Sequence, residues 1–518
     1  MVDHSAWLAI FLPWGAALTL AGERLFHPVW HEAKEKTVGK ISFAATLGAV
    51  LILLLLDAKA VLFGPSGALH SGEWFGAGTY IVPLGLMLDG LGLSLATLMA
   101  WISLLTIRFS IPYMHRESGF LRFFMILNLF IGAMQLIVLA GNALLVFVGW
   151  ELAGVSSFLL IGYAFERNTA TKNANRALIT NRFGDAGFLF GIFAAFTWCG
   201  GVDWGQIAHA APQVETMGAT LVGLGFLCAA LAKSGQIPFS PWIARAMDGP
   251  TPSSAIFYGS LMVHAGVILT LRLEPMLQQT PSLLTAIATI GFVTALYGWI
   301  TAQGQSDVKS SLIFATISQI GLMFLWCGLG WFTLAAWHLG LHASFRAWQF
   351  LHAPSLMDDL ERPAPPAPRW LTRWQRLHTA LLQRFWLEHL GDAMIAAPTM
   401  KLAADMRLLE HRVITPLAGL PAHANAISTL AQWQEQQTGA IPASGYAVDR
   451  STGVAGKMIQ GLASILYSFE ENMILKGGGA GLMEVLQLVG KRLILIDHLL
   501  SQPRYLILMI ALTFVIIL

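Results

Sequence analysis

The sequence predicts an all-α, polytopic membrane protein, and three observations carry that reading. Of its 518 residues, 55% are hydrophobic and 12% charged, about half the charged share of an ordinary soluble domain, with a mean hydropathy of +0.62. Apolar runs of spanning length recur from residue 6 to residue 352. The loops between them alternate between basic and free of Lys and Arg.

The first run, at 6–22, follows Asp3 and His4 instead of a basic leader region, so it reads as a retained span and not a cleaved signal. Further runs at 40–57, 83–107, 122–140, 143–165, 184–199, 217–234, 252–273, 283–301, 310–328 and 331–352 bring the expected helices to about eleven. Arg24, Lys34, Lys36 and Lys40 fall in the first loop, Arg108, Arg116 and Arg122 in the third, and Arg167, Lys172, Arg176 and Arg182 in the fifth. The loops LFGPSGALHSGEWFGAGTY, AGN and GGVDWGQIAHAAPQVETMG carry neither basic residue. Positive charge collects on the cytoplasmic side, so the expected N-terminus is outside and the protein belongs in a bacterial inner membrane.

This transmembrane domain spans 1–353. A cytoplasmic Pro-rich and helical segment follows at 354–454, opening with APSLMDDLERPAPPAPRWLTRWQRL. Residues 455–500 mix apolar and charged positions at helical spacing, as amphipathic helices on a membrane surface do. Within them KGGGAG lacks the spacing of a phosphate loop and reads as a helix break. Residues 501–518, ending YLILMIALTFVIIL, form a C-terminal membrane helix or anchor.

A net charge of +2 gives no case for nucleic acid. Cys199, Cys228 and Cys327 lie singly in or beside apolar runs, without metal or iron-sulfur ligand spacing, so they read as packing thiols. No cofactor and no metal are expected in this chain, and no catalytic residue.

The informative residues are charges inside the apolar runs. Glu151 interrupts LLVFVGWELAGVSSFLLIGYAF, where a carboxylate costs roughly 2.5 to 3.5 kcal/mol unless it faces a partner or water. Lys233 stands where the seventh run breaks at Gly235, Pro238 and Pro241, and proline removes a backbone donor, which frees carbonyls at membrane depth. Lys233 is the expected partner of Glu151, either as a proton switch or as a static packing pair. His264 lies within the next run, as a proton carrier or a satisfied core histidine. His338, His342 and Arg346 recur every four residues on one helix face, which reads as a hydrated proton path, a metal pair lacking a third ligand, or interhelical hydrogen bonding. Lys309, near a helix start, is either part of that polar axis or a side chain snorkelling to the interface.

The motifs LDGLGLSL, VGWELAGVSSFLLIGY, NRFGDAGF, AKSGQIPFSPWIARAMDGPTPSSA, MVHAG, SDVKSSLIFATISQIG and HLGLHASFRAWQFL, spread over roughly 83–353, resemble the antiporter-like subunits shared by respiratory complex I and Mrp-type cation/proton antiporters. The resemblance implies an antiporter-like helical bundle in which Glu151 and Lys233 form the coupling ion pair with Asp185 nearby. It also implies that His264 relays protons laterally and that Lys309, His338, His342 and Arg346 occupy the polar axis. Tyr258 stands where the family has a histidine. Complex I members continue with a second broken helix; here the Pro-rich segment intervenes, as in the membrane subunits (DabB-type) of DAB-type inorganic carbon transporters. That narrower resemblance implies proton flow, with Na+ as the alternative ion, energising CO2 or bicarbonate uptake beside a cytoplasmic, zinc-containing, DabA-like subunit. The alternatives are a proton-pumping subunit of a quinone oxidoreductase or hydrogenase complex, an Mrp-type Na+/H+ antiporter, and a structural membrane anchor.

Overall fold

The computed structural model describes residues 2–26, 32–77, 80–353, 368 and 373–409. The expected amphipathic segment, the terminal helix and most of 354–454 lie outside these residues. All but α18 of the elements that follow belong to one unit, whose described part runs to Ala396.

Helices α1 (Ala6–Phe26), α2 (Glu35–Phe63), α3 (Gly90–Tyr113), α4 (Phe120–Leu139) and α5 (Ala143–Ile161) pack in chain order. They are followed by α6 (Asn168–Cys199), the short α7 (Trp204–Ala210) and α8 (Thr216–Lys233). After the break come α9 (Pro241–Arg245) and a span assembled from α10 (Thr251–Ser254), a π turn at Ala255–Ser260, a 3-10 turn at Met262–His264 and α11 (Ala265–Arg272). The bundle closes with α12 (Glu274–Leu277), α13 (Pro281–Ala302), α14 (Val308–Gly328) and α15 (Phe332–His352). Beyond it stand α16 (Gln375–Leu382) and α17 (Leu387–Gly391) and, in a second unit, α18 (Ala397–Leu409). Among the described residues nine helices are long and apolar enough to cross a membrane. Both α6 and α15 fall short of that apolarity because they carry the polar groups described below.

One expected loop is a strand pair. Residues read as loop and as the start of the third helix instead form an antiparallel hairpin of β1 (Gly67–Ala77) and β2 (Tyr80–Leu88), with register shifts at His70/Gly72 and Glu73/Phe75. The apolar PLGLML stretch satisfies its backbone by pairing with β1, and α3 begins only where the Asp89 carboxylate accepts the Gly92 amide at 2.8 Å.

Two sides of the bundle are tied separately. On one, Tyr80 donates to Asp203 at 2.8 Å, Lys59 reaches Asp3 at 2.5 Å, and Arg272 pairs with Asp89. On the other, Asn173 donates to Asp248 at 2.7 Å and Lys309 to Thr251 at 2.6 Å. The basic loops all lie on this second side, so the charge alternation in the sequence corresponds to a real segregation.

Close backbone approach positions the polar interior. A Cβ on Gly184 would lie 2.5 Å from the Cβ of Ala232, so only glycine lets α6 press against the end of α8. That contact brings Asp185 beside Lys233.

Candidate functional site

A cluster of four ionisable side chains, three of them buried, is built from α5, α6 and α8. Glu151 on α5 pairs with Arg182 on α6, one turn from which Asp185 also meets the Arg182 Nε, at 3.1 Å. Both carboxylates are buried, whereas the Arg182 side chain is 46% exposed. The Glu151 Oε1 atom has no hydrogen-bond partner among the described residues.

Lys233, fully buried at the end of α8, makes no ion pair within 4 Å among those residues; its ammonium donates to the Trp150 carbonyl at 3.1 Å and lies 5.0 Å from the centre of the Trp150 ring. The Trp150 indole N–H in turn donates to Asp185 at 2.9 Å. Glu151 and Lys233 therefore share a cluster without touching, Arg182 holding the glutamate and Trp150 standing between the lysine and the aspartate. Arg182 reads as a loop cation in the positive-inside pattern, and Trp150 is not singled out by the sequence; the signals that could have placed them are the i,i+3 spacing of Arg182 and Asp185 and the adjacency of Trp150 to Glu151.

The break after Lys233 follows the expected residues. Gly235 adopts φ +56°, and a side chain there would collide with Ile243, while Pro241 opens α9. Not every carbonyl is left free: the Trp242 indole donates to the Ala232 carbonyl at 2.9 Å. The polar side chains along the break do lack partners among the described residues, namely Ser234 Oγ, Gln236 Oε1 and Ser240 Oγ, all buried. Gly266 of α11 packs directly on Ser234, which carries the polar line toward His264.

The second break, at the π turn, carries no proline inside it and was read as one continuous helix. His264 sits at its end, and its Nε2 lies 2.9 Å from His342 Nδ1. Arg346 has only donors, and its Nε–H is 3.2 Å from His342 Nε2, which makes that atom an acceptor. A neutral His342 then carries its proton on Nδ1 and donates to His264, leaving the His264 proton on Nδ1, an atom without a partner among the described residues. His338 is held elsewhere: its Nδ1 accepts from Trp326 at 3.2 Å, so its Nε2 donates to Gln319 at 3.0 Å. It lies 6.1 Å, centre to centre, from His342 without a hydrogen bond to it. Lys309 joins neither group; it donates to Thr251, whose hydroxyl meets Tyr113 at 2.9 Å. Tyr258 hydrogen-bonds Ser157 of α5 from within the π turn.

No group of three or more His, Cys, Asp or Glu side chains among the described residues is arranged to hold a metal ion. The two histidines that do meet bond each other.

Comparison with known proteins agrees with this architecture. Residues 140–364 match the family described as NADH:quinone oxidoreductase/Mrp antiporter, TM, and residues 74–124 match the complex I chain 5 N-terminus family. The NADH-quinone oxidoreductase subunit L of Mycobacterium tuberculosis is 36% identical over 373 residues, 69% of this chain and 57% of that protein. The NAD(P)H-quinone oxidoreductase chain 5 of Synechocystis is 32% identical over 366 residues, 69% of this chain and 53% of that one. Among solved structures, the Mrp complex from Dietzia sp. DQ12-45-1b contains a chain that superposes with a TM-score of 0.59 at 26% identity, covering 67% of this chain and 37% of that one. The chain thus spans little more than half the length of the curated relatives it matches.

Proposed function

We propose, from a membrane domain that belongs to the NADH:quinone oxidoreductase/Mrp antiporter family, that this chain is an ion-translocating subunit of a multi-subunit membrane complex of the quinone-oxidoreductase or Mrp type. The ion is the proton, the membrane is a bacterial inner membrane with the N-terminus outside, and the redox or exchange chemistry belongs to partner subunits. The observation that supports this most is a charge-balanced cluster, buried Glu151, Asp185 and Lys233 with half-exposed Arg182, opening at a broken helix onto polar atoms without partners among the described residues and then onto His264 and His342.

The cluster has the properties of a switch. With Arg182 on the carboxylates, the Lys233 ammonium has only a carbonyl and a ring face; if Arg182 swings away on its exposed stem, Glu151 is left to attract Lys233 and raise its proton affinity. Movement of one arginine thus alternately loads and unloads Lys233. Released protons pass along the break to His264 and His342, whose imidazoles accept on one nitrogen and give from the other.

The test is Lys233→Ala and Glu151→Gln in membranes where assembly is monitored. Proton flux should be abolished while the protein still inserts and joins its complex. Normal flux in assembled variants would dismiss the reading.

A second reading, energising CO2 or bicarbonate uptake with a zinc-containing DabA-like cytoplasmic subunit, draws on one feature: the chain after α15 folds back as short helices on the basic side, a platform for a soluble partner. The relatives named above are oxidoreductase and Mrp proteins, so the first reading leads. Co-purified flavin or iron-sulfur subunits would favour the first, and a zinc protein the second.

A further inference from the structure

Residues 375–396 form a strap across the basic side of the bundle. At one end Leu381 is buried against Gly304, between α13 and α14, and Arg384 reaches the Gln305 side chain at 3.3 Å and the Phe314 ring at 5.3 Å. Phe385 meets Tyr297 of α13 edge to face at 5.9 Å. At the other end Gly391 lies against Pro241, the first residue of α9, and two ion pairs close the contact: Arg245 of α9 to Glu388 at 2.6 Å, and Arg176 of α6 to Asp392 at 2.5 Å. Arg384 also binds Glu388, at 2.8 Å. The strap therefore bridges α13 and α14 to α6 and α9, the elements around the break after Lys233.

Beneath it the polar line ends. Ser240, fully buried at the start of α9, has a hydroxyl without a partner among the described residues, as do Ser234 nearer Lys233 and Thr301 on α13. Unpartnered buried hydroxyls are groups that water satisfies when it reaches them. The strap also contains a sprung joint: Arg384, Phe385 and Trp386 have φ of 49°, 55° and 53°, three successive left-handed residues with side chains. Such backbone persists only where surrounding contacts hold it, and here the holding contacts are the ion pairs at Glu388 and the aromatic seat at Tyr297.

We infer that residues 375–396 are a gate over the mouth of the broken helix, latched by Arg245–Glu388–Arg384 and Arg176–Asp392, whose release lets water reach Ser240 and the line toward Lys233. The inference rests on the reading of that break as part of an ion path, and its test is chosen to need no ion movement. Full-length protein carrying Ser240→Cys is exposed, in membrane vesicles with the basic side outward, to a membrane-impermeant maleimide, and modification of the peptide bearing residue 240 is followed by mass spectrometry. Labelling should be slow with the latch intact and at least ten-fold faster after E388Q plus D392N. In the D392N background, the charge swap R245E with E388R, together with R384Q to remove the like charge beside position 388, restores one pair in opposite sense; it should return labelling toward the slow rate and excludes general unfolding as the cause. Equally fast labelling with the latch intact, or equally slow labelling without it, would overturn the gate. Loss of proton flux with normal gating of the label would instead count against the function alone.

Discussion

Arg182 decides how the buried charges are arranged. It lies on α6 where one carboxylate is its i+3 neighbour and the other comes from α5, so a single guanidinium contacts two buried acids. Removing the partner of a buried charge is destabilising because the remaining charge is left without compensation, though solvent at the half-exposed Arg182 reduces the loss. Arg182→Ala should accordingly lower the melting temperature of the detergent-solubilised protein, and adding Glu151→Gln should recover a large part of the loss; a second mutation that adds to the damage would show that Arg182 is not the balancing charge. The histidines divide in a similar way. His342 is hydrogen-bonded in line with His264, while His338 is tied to Trp326 and Gln319. His342→Ala should slow proton flux at least ten-fold and His338→Ala much less, measured with a pH-sensitive dye in proteoliposomes; equal losses would place both in the path. Sequence spacing put His338, His342 and Arg346 on one face, correctly, but a shared face does not say which side chain finds a partner on the facing helix. Glu151 and Lys233 were each legible because charges stand out in apolar runs, but the expected direct pair is not formed: Glu151 meets Arg182, and Lys233 meets the Trp150 carbonyl. Arg182 was hidden because a basic residue near a loop has a simpler explanation.

At the scale of elements, what was legible follows the punctuation of the sequence. The break after Lys233 is written in Gly235, Pro238 and Pro241, each of which constrains the backbone by itself. The break before His264 has no proline inside it and one glycine, Gly259, at which a side chain would collide with Phe350 of α15; its π turn packs against α14 and α15, contacts that a linear pattern does not contain. The hairpin was missed for a related reason, since PLGLML is as apolar as a helix start and only its pairing with β1 separates the two. The strap adds an element whose attachment depends on pH. Burial pushes the Glu388 carboxyl up, but Arg245 from α9 and Arg384 in its own turn outweigh burial and hold it below the usual carboxylate range, with Asp392 and Tyr297 the other ionisable groups nearby. A depressed carboxylate contributes its attachment at neutral pH and loses it as pH falls through the depressed value. Hydrogen exchange of residues 384–392 should therefore be slow near pH 7 and, after correction for intrinsic rates, become faster as the medium falls below the ordinary glutamate range; the reverse trend would contradict the role of Glu388.

For the whole molecule the remaining choice is the ion. The multi-pass bundle was legible from hydropathy and loop charge alone, because lipid leaves few ways to satisfy a backbone; which complex the proposed subunit would join was not, because partner surfaces carry no such constraint. We propose the proton as the carried ion, with sodium the alternative. A metal cation needs several oxygens free to turn toward it; one oxygen of Glu151 meets Arg182 and one of Asp185 the Trp150 indole, while Glu151 Oε1 and the side-chain oxygens of Ser234, Gln236 and Ser240 have no hydrogen-bond partner among the described residues, and the line then reaches imidazoles bonded to each other and to Arg346. Such nitrogens pass protons by exchanging donor and acceptor roles. With Glu151 and Asp185 charged against Arg182 and Lys233, one proton leaving Lys233 changes the cluster by one charge, and a potential of 100 mV supplies about 2.3 kcal/mol for each charge that crosses. In proteoliposomes of the assembled complex, an imposed potential should drive acidification that a protonophore collapses and that continues at the same rate when sodium is replaced by a large organic cation. Flux that survives the protonophore but stops without sodium would mean that the cluster opens its oxygens to a metal cation, and that the ordering of Arg182 over both carboxylates is only one of its states.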